Sequence, residues 1–285
     1  MAESLEELKR HIGESDTEFD VVSASVIAKL AATLGVDTPA AQKGDPIPPG
    51  WHTGFFPPTH RPDNMRPDGQ AAGGGIMPKV PLPRRRLAGE TFRYLNTLAI
   101  GDEIERLTEI ADITIDEESG GPPVSMIIRH TIASARGPAV IEERHFIYLS
   151  ESVSGAALET PPLPDAAPAW RQEVVPDLVL LFRYSAIRFN SHRIHYDREY
   201  VTEIEGCPGL IVQGSLISQL MQEMCRANMP DATLIGFSFR TLKPLYDTGP
   251  FVICGAPDEG GGSAALWLLD SDGALAVTAT ADFGG

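Results

Sequence analysis

Along the chain, apolar and polar positions alternate with two periods, and where each holds predicts the elements. Val26, Ile27, Leu30, Ala31 and Leu34 recur at helical spacing, with Ser23 placed to cap and Gly35 placed to stop. This predicts a helix over residues 15–35. From Val36 to Arg86 neither period survives, because Pro46, Pro48-Pro49-Gly50-Trp51, Pro57-Pro58 and the run Ala71-Ala72-Gly73-Gly74-Gly75 forbid long regular elements. The aromatic residues Trp51, Phe55 and Phe56 in this stretch favour an ordered, partly buried loop. Between Glu90 and Leu149 a period of two returns, as in Thr91-Phe92-Arg93-Tyr94-Leu95, and predicts strands up to Phe146-Ile147-Tyr148-Leu149. Residues 151–172, rich in Ala and Pro, read as a linker. A β segment over Leu178 to Phe189 is expected next, then a helix from Gly214 to about Ala227 carrying Leu216, Ile217, Leu220, Met221 and Met224. Strands are expected over Ile235–Leu242, Phe251–Gly255, Ala264–Leu269 and Ala274–Phe283.

The segment Leu98–Ile104 has the same order as Leu245–Phe251: an apolar strand end, a Gly/Asp turn and a new strand. Each is followed by β runs ending in an aromatic residue, Phe146 or Phe283. Two copies of one α+β unit account for this, as do two unrelated β-rich halves. The expected division is 1–150, a linker over 151–172, and 173–285.

Composition narrows the function. Thirty-nine acids against 23 bases give the 285-residue chain a net charge of −16, which argues against a nucleic-acid surface. A local Arg cluster could still hold an anionic small ligand. Three cysteines without CxxC spacing make a disulfide framework or a cysteine-rich zinc site a poor fit. No apolar run reaches the ~18 residues of a membrane span. The acidic N-terminus lacks the pattern of a signal or transit peptide, so a cytoplasmic protein is expected.

The chemistry concentrates in Tyr184-Ser185-Ala186-Ile187-Arg188-Phe189-Asn190-Ser191-His192-Arg193-Ile194-His195-Tyr196-Asp197. Three readings are open. His192, His195 and Asp197 could ligate a metal. The polar side chains could simply hold a turn. Or a histidine could take and return a proton, its ordinary pKa lying near 6.5.

Phe189-Asn190-x-His192-Arg193-Ile194-His195-Tyr196-Asp197, followed by Gly209-x-x-Val212-Gln213-Gly214, resembles the (R)-specific enoyl-thioester hydratases and hydroxyacyl-thioester dehydratases of the MaoC-like hotdog superfamily. The resemblance is to their double-hotdog branch, which includes mesaconyl-C4-CoA (itaconyl-CoA) hydratases and mitochondrial-type dehydratases. Pro81-Leu82-Pro83-Arg84-Arg85-Arg86-Leu87-Ala88-Gly89 and Phe239-Arg240-x-Leu242-x-Pro244-Leu245 are similar to further segments of that branch. The resemblance implies a double hotdog, two antiparallel sheets each wrapped round a central helix, with Gly214–Ala227 the helix of the second half. It implies His195 as the catalytic base, with Asn190 where the wider superfamily has an acid. Registered the same way, the first half puts Ala41 where His195 sits, so that half is expected to be degenerate.

From this follow the expected roles. His195 activates water and returns a proton to Cα, Asn190 holds the water, and the N–H of Gly214 at a helix start polarises the thioester carbonyl. Arg84, Arg85, Arg86, Arg240 and Lys243 are candidates for the phosphates of CoA or phosphopantetheine, and Trp51, Phe55 and Phe56 for an apolar acyl wall. The 45–90 loop could cover that pocket. Tyr184 and Asp197 join the expected substrate site, and Arg188 and Arg193 either meet a substrate carboxylate or brace the turn. No cofactor or metal is expected beyond the CoA thioester itself, and a homodimer is plausible. The competing readings are a hotdog thioesterase, which would want an acid where Asn190 stands, and a non-catalytic acyl-thioester-binding protein.

Overall fold

A computed structural model describes residues 4–38, 42–72, 75–82, 84–116, 124–149, 162–163 and 167–284. Ten antiparallel strands form one sheet: β1 (Ser15–Val21), β2 (Arg84–Tyr94), β3 (Glu103–Ile115), β4 (Val124–Ser134), β5 (Gly137–Leu149), β6 (Trp170–Val174), β7 (Thr233–Thr241), β8 (Phe251–Pro257), β9 (Ser263–Leu269) and β10 (Leu275–Gly284). Their spatial order is β1-β3-β4-β5-β2-β7-β10-β9-β8-β6. The first five strands and the last five therefore repeat one order, and β2 pairs with β7 where the halves meet. The turn before β3 and the turn before β8 occupy equivalent places, so the two segments similar in sequence are structural counterparts. At the seam Gly89 lies opposite Arg240, and a Cβ on it would stand 2.4 Å from the carbonyl oxygen of Phe239. Only glycine lets the strands approach so closely there.

Three helices pack on this sheet. α1 (Ala24–Leu34) begins at Ser23, whose Oγ accepts from the N–H of Val26, and ends at Gly35, whose φ of 70° is the left-handed stop. α2 (Leu178–Ile187) begins at Asp177, whose carboxylate accepts from the N–H of Leu180. Each follows the edge strand of its half, so α1 and α2 are counterparts, and they touch each other. α3 (Gly214–Asn228) is the long helix of the second half; Leu216, Ile217, Leu220, Met221 and Met224 bury against Phe237, Phe239, Phe251, Ile253 and Leu266 of the strands. Burying five large apolar side chains contributes on the order of 1.5–3 kcal/mol each.

The double-hotdog architecture holds, with departures from the sequence-based elements. Residues 15–21 form β1, not the first turns of a helix; the helical period is confined to 24–34. Leu178–Ile187 is helical although β was expected: a run apolar all round carries no period, and the Asp177 cap decides it. The first half has no counterpart of α3. Between α1 and β2 its described residues contain only short 3-10 turns, Trp51–Gly54 and Pro62–Asn64. Most of the expected linker lies outside the described residues, and its last three residues belong to β6, where Trp170 pairs with Gly255. Ala41 also lies outside them. Among the described residues no helix is long and apolar enough to cross a membrane.

Candidate active site

α2 ends at Ile187, and Phe189 turns the chain with a φ of 50°. The loop that follows is wound tightly by its own side chains. Asn190 Oδ1 accepts from the N–H of His192 at 3.1 Å, an Asx turn. Arg193 Nε donates to Asp197 Oδ2 at 2.9 Å, and Asp197 Oδ1 accepts from the N–H of Tyr200. Arg193 also lies 4.0 Å over the ring of Tyr200. Asp197 is thus spent on bracing the loop, which removes it from the substrate role and from any three-ligand metal set with His192 and His195.

His195 is buried, and its Nδ1 stands 2.7 Å from the carbonyl oxygen of Ile211. The Ile211 N–H donates in turn to Ile194 O at 2.9 Å, so the ring and the residue before it are both tied to the segment that leads into α3. A carbonyl oxygen only accepts, so Nδ1 carries the hydrogen and Nε2 keeps its lone pair. Burial pushes the imidazole down to about 4, with the Ile211 bond opposing, so the ring is neutral at pH 7. Nε2 bonds to no described residue.

A cavity of about 1090 Å³ lies against this loop, walled by Asn190, Ser191 and His192. The His195 ring does not reach it: it packs behind His192, the two rings meeting edge to face at 5.5 Å. His192 is pushed down to about 3, chiefly by burial, with the neighbouring His195 ring and the cations Arg85 and Arg66 adding to it. Gln70 Nε2 donates to His192 Nε2 at 3.0 Å, and Arg85 donates to Gln70 Oε1 at 2.7 Å.

Gln70 comes from the long insert of the first half, which docks on the loop through its backbone. Arg193 N–H donates to Asp68 O (2.9 Å), Ser191 Oγ to Gly69 O (2.7 Å) and the Arg193 guanidinium to Pro67 O (3.1 Å). The insert also supplies Phe55, Phe56, Met65, Met77 and Val80 to the cavity wall. Deeper groups come from β3, β4 and β5 of the first half, whose inward positions carry charge. Arg144 pairs with Glu142 at 2.5 Å and Glu90 at 3.4 Å, while His52 stands 3.5 Å from Glu142. Burial raises Glu142, but Arg144 and His52 outweigh it and hold that carboxylate well below its ordinary range. Glu90, with burial dominant, is pushed up to about 7. Arg106, paired with Glu18 and lying 4.8 Å over Phe56, completes this wall with His130.

The other expected site residues are placed as follows. Gly214 opens α3, where Leu216 and Ile217 N–H donate to Gln213 O; a Cβ on Gly214 would meet Leu87 at an ordinary 3.5 Å. Glycine is therefore not sterically required, and Gly214 lies outside the cavity wall. Arg85 reaches the cavity; Arg86 and Arg240 are exposed away from it, and Lys243 is paired with Asp270. The side chain of Arg84 lies outside the described residues. Trp51 is not an acyl wall: it is wholly buried and donates to Glu223 of α3 at 2.5 Å. Tyr184 is buried in the second core and does not line the cavity.

Gln70, Gly69, His52, Glu142 and Arg144 escaped the sequence. The last two had a signal, since a Glu and an Arg two apart on a strand share one face. Gln70 had none, because docking of a loop on a distant loop leaves no period.

Comparison with known proteins agrees with this architecture. The family model "Hydroxyacyl-thioester dehydratase type 2" matches residues 50–247. Mesaconyl-C(4)-CoA hydratase of Chloroflexus aurantiacus is 37% identical over 278 residues, 96% of this chain and 97% of that protein. The mitochondrial hydroxyacyl-thioester dehydratase type 2 of Schizosaccharomyces pombe is 28% identical over 82% of this chain and 88% of its own length. Among solved structures, a MaoC-like dehydratase from Phytophthora capsici superposes with a TM-score of 0.71 at 13% identity, covering 97% of both chains. HtdX of Mycobacterium tuberculosis does so with a TM-score of 0.65 at 16% identity, over 94% of this chain and 99% of that one. A repeated hotdog sheet, a histidine tied to the segment that leads into α3 and this likeness in sequence have a single explanation: the chain belongs to the type 2 hydroxyacyl-thioester dehydratase family.

Proposed function

We propose that this protein is a hydro-lyase that adds water across, or removes it from, the α,β bond of an acyl-CoA thioester, with His195 as the proton carrier. The observation that carries this is the bond from His195 Nδ1 to Ile211 O, two residues before the α3 cap, which leaves an unprotonated Nε2 with no bond to a described residue. In hydration, Nε2 takes a proton from water as the oxygen bonds to Cβ. The electron pair of the double bond moves toward the thioester oxygen, and His195 then delivers the proton to Cα. The charge gathers on that oxygen, where the free N–H groups that open α3 are the available donors. Asn190, its Oδ1 engaged by His192, keeps its amide N–H₂ for the water or the thioester.

His192 is the rival base, since it walls the cavity. Its Nε2 already accepts from Gln70, which occupies the lone pair a base would use. Because its ring screens His195, the productive complex has His192 turned aside by the acyl chain. The name of the Chloroflexus relative makes mesaconyl-C4-CoA the first acyl group to try.

The test offers crotonyl-CoA and mesaconyl-C4-CoA to the protein, following enoyl absorbance and free thiol. Loss of absorbance without thiol is expected; release of thiol would make it a thioesterase, and neither a binding protein. His195→Ala should lower turnover by about 10²–10⁴-fold and His192→Ala by less. The reverse order would move the base to His192.

A further inference from the structure

Of the arginines on the cavity wall, Arg106 has Glu18, Arg144 has Glu142 and Glu90, Arg85 has Gln70, and Arg66 has Asp68 at 3.0 Å. Arg188 has none of these. Its Nη1 is buried with no hydrogen-bond partner, and its one described contact is the face of Tyr184, 6.0 Å from the ring centre. Arg188 as a whole is half-buried, but a buried guanidinium nitrogen without a partner is costly unless something compensates it. Its place at the C-terminal end of α2, where the helix dipole is negative, compensates part. Glu90 is near enough to feel Arg188, but it gives no bond to it and is itself half-protonated at neutral pH.

We propose that Arg188 binds a carboxylate at the end of the acyl group remote from the thioester, so that the substrates are short dicarboxylic acyl thioesters. The inference rests on the hydro-lyase reading and names its substrate class. Arg188 stands two residues before Asn190, so their backbones are at most about 7 Å apart, and both line the same cavity. A carboxylate on Arg188 is therefore within a short acyl chain of the loop that carries His195. A phosphate of CoA fits poorly, because the pantetheine arm holds it far from the reacting carbons. The planar guanidinium suits a planar carboxylate.

Two measurements test this. Succinyl-CoA and butyryl-CoA differ by a carboxylate against a methyl group, and titration calorimetry on the unaltered protein should find succinyl-CoA at least about 30-fold tighter. Arg188→Gln should cut the ratio of kcat/KM for mesaconyl-C4-CoA over crotonyl-CoA by about the same factor or more, and Arg188→Lys by less. Equal binding of the two saturated thioesters, or an equal loss on both enoyl substrates, would overturn the assignment. If neither enoyl-CoA is hydrated while succinyl-CoA still binds preferentially, the hydro-lyase reading fails and the carboxylate site stands.

Discussion

Gly69 is the point on which the two halves of the site are joined, and Gly69→Ala is the sharpest perturbation of it. Its φ of +83° lies in the left-handed region, which costs alanine about 1–2 kcal/mol. More important, the new Cβ would stand 1.9 Å from the carbonyl oxygen of Ser191. That oxygen belongs to the loop backbone and cannot swing away as a side chain could, so the segments must part by more than an ångström. Such a shift carries the bonds from Arg193 N–H to Asp68 O and from Ser191 Oγ to Gly69 O beyond hydrogen-bond range. With about 0.5–1.5 kcal/mol per bond holding the insert down, strain and overlap exceed what docking contributes, and the insert lifts. The loop that carries Asn190 and His195 then loses its docked position, and kcat/KM should fall by about 10²-fold, the effect of an ångström's misplacement at a reacting centre. The melting temperature should move little, because the sheet and α3 are untouched. Gly44→Ala is the control: it has a φ of +93° with nothing within 4 Å, so it isolates the conformational cost from the overlap. Hydrogen exchange at the Arg193 amide reports the docking directly. Wild-type activity with unchanged protection at Arg193 in Gly69→Ala would refute the docked geometry.

Three further outcomes are expected. His195, His192 and His130 are all depressed by burial, to about 4, 3 and 3, against about 6.5 unfolded. As pH falls below 6.5 the unfolded chain takes protons the folded one refuses, so stability rises with pH between about 4 and 6.5, each histidine contributing on the order of 1–3 kcal/mol; urea unfolding across that range would show it, and a flat profile would contradict the burial of these rings. Trp51→Phe should lower unfolding free energy by about 1–3 kcal/mol while sparing kcat/KM, since it loses only the bond to Glu223 and is off the cavity wall; a large loss of activity without loss of stability would put Trp51 back in the acyl site. Asn190→Asp keeps the oxygen that accepts from His192 and should retain activity, so an inactive but folded variant would assign the amide N–H₂ an essential role.

What sequence makes legible here follows physical range. α3 and the strands of the second half are visible because their apolar positions repeat along one face. Ser23 and Gly35 mark α1 because caps act within a turn. α2 reads as a strand in sequence, since Leu178, Val179, Leu180 and Leu181 carry no period and only the Asp177 cap distinguishes them. The residues at 190–197 stand out because their chemistry is unusual at close spacing. What they bond is another matter: Ile211, Asp68 and Gln70 are reached through backbone groups or a side chain far along the chain. Composition alone overstates the runs of Arg and the aromatic residues of the insert. Of Arg85 and Arg86 one reaches the cavity, and of Trp51, Phe55 and Phe56 two do, because strand alternation and loop path decide which side chains face inward.

The loss of a central helix from the first half is what makes the cavity. In the second half α3 lays Leu216, Leu220 and Met224 against the apolar face of the strands. In the first half no helix among the described residues takes the place of α3, and the inward positions of β4 and β5 carry His130, Glu142 and Arg144 where α3 would demand apolar partners. Charged side chains there are tolerable only if they pair with one another or with something that enters. Four of the wall's arginines pair and Arg188, contributed by the other half, does not. A half that has lost its helix is thus not merely a support for the half that kept it: it encloses the acyl group, while the histidine stays where a helix start can share the charge.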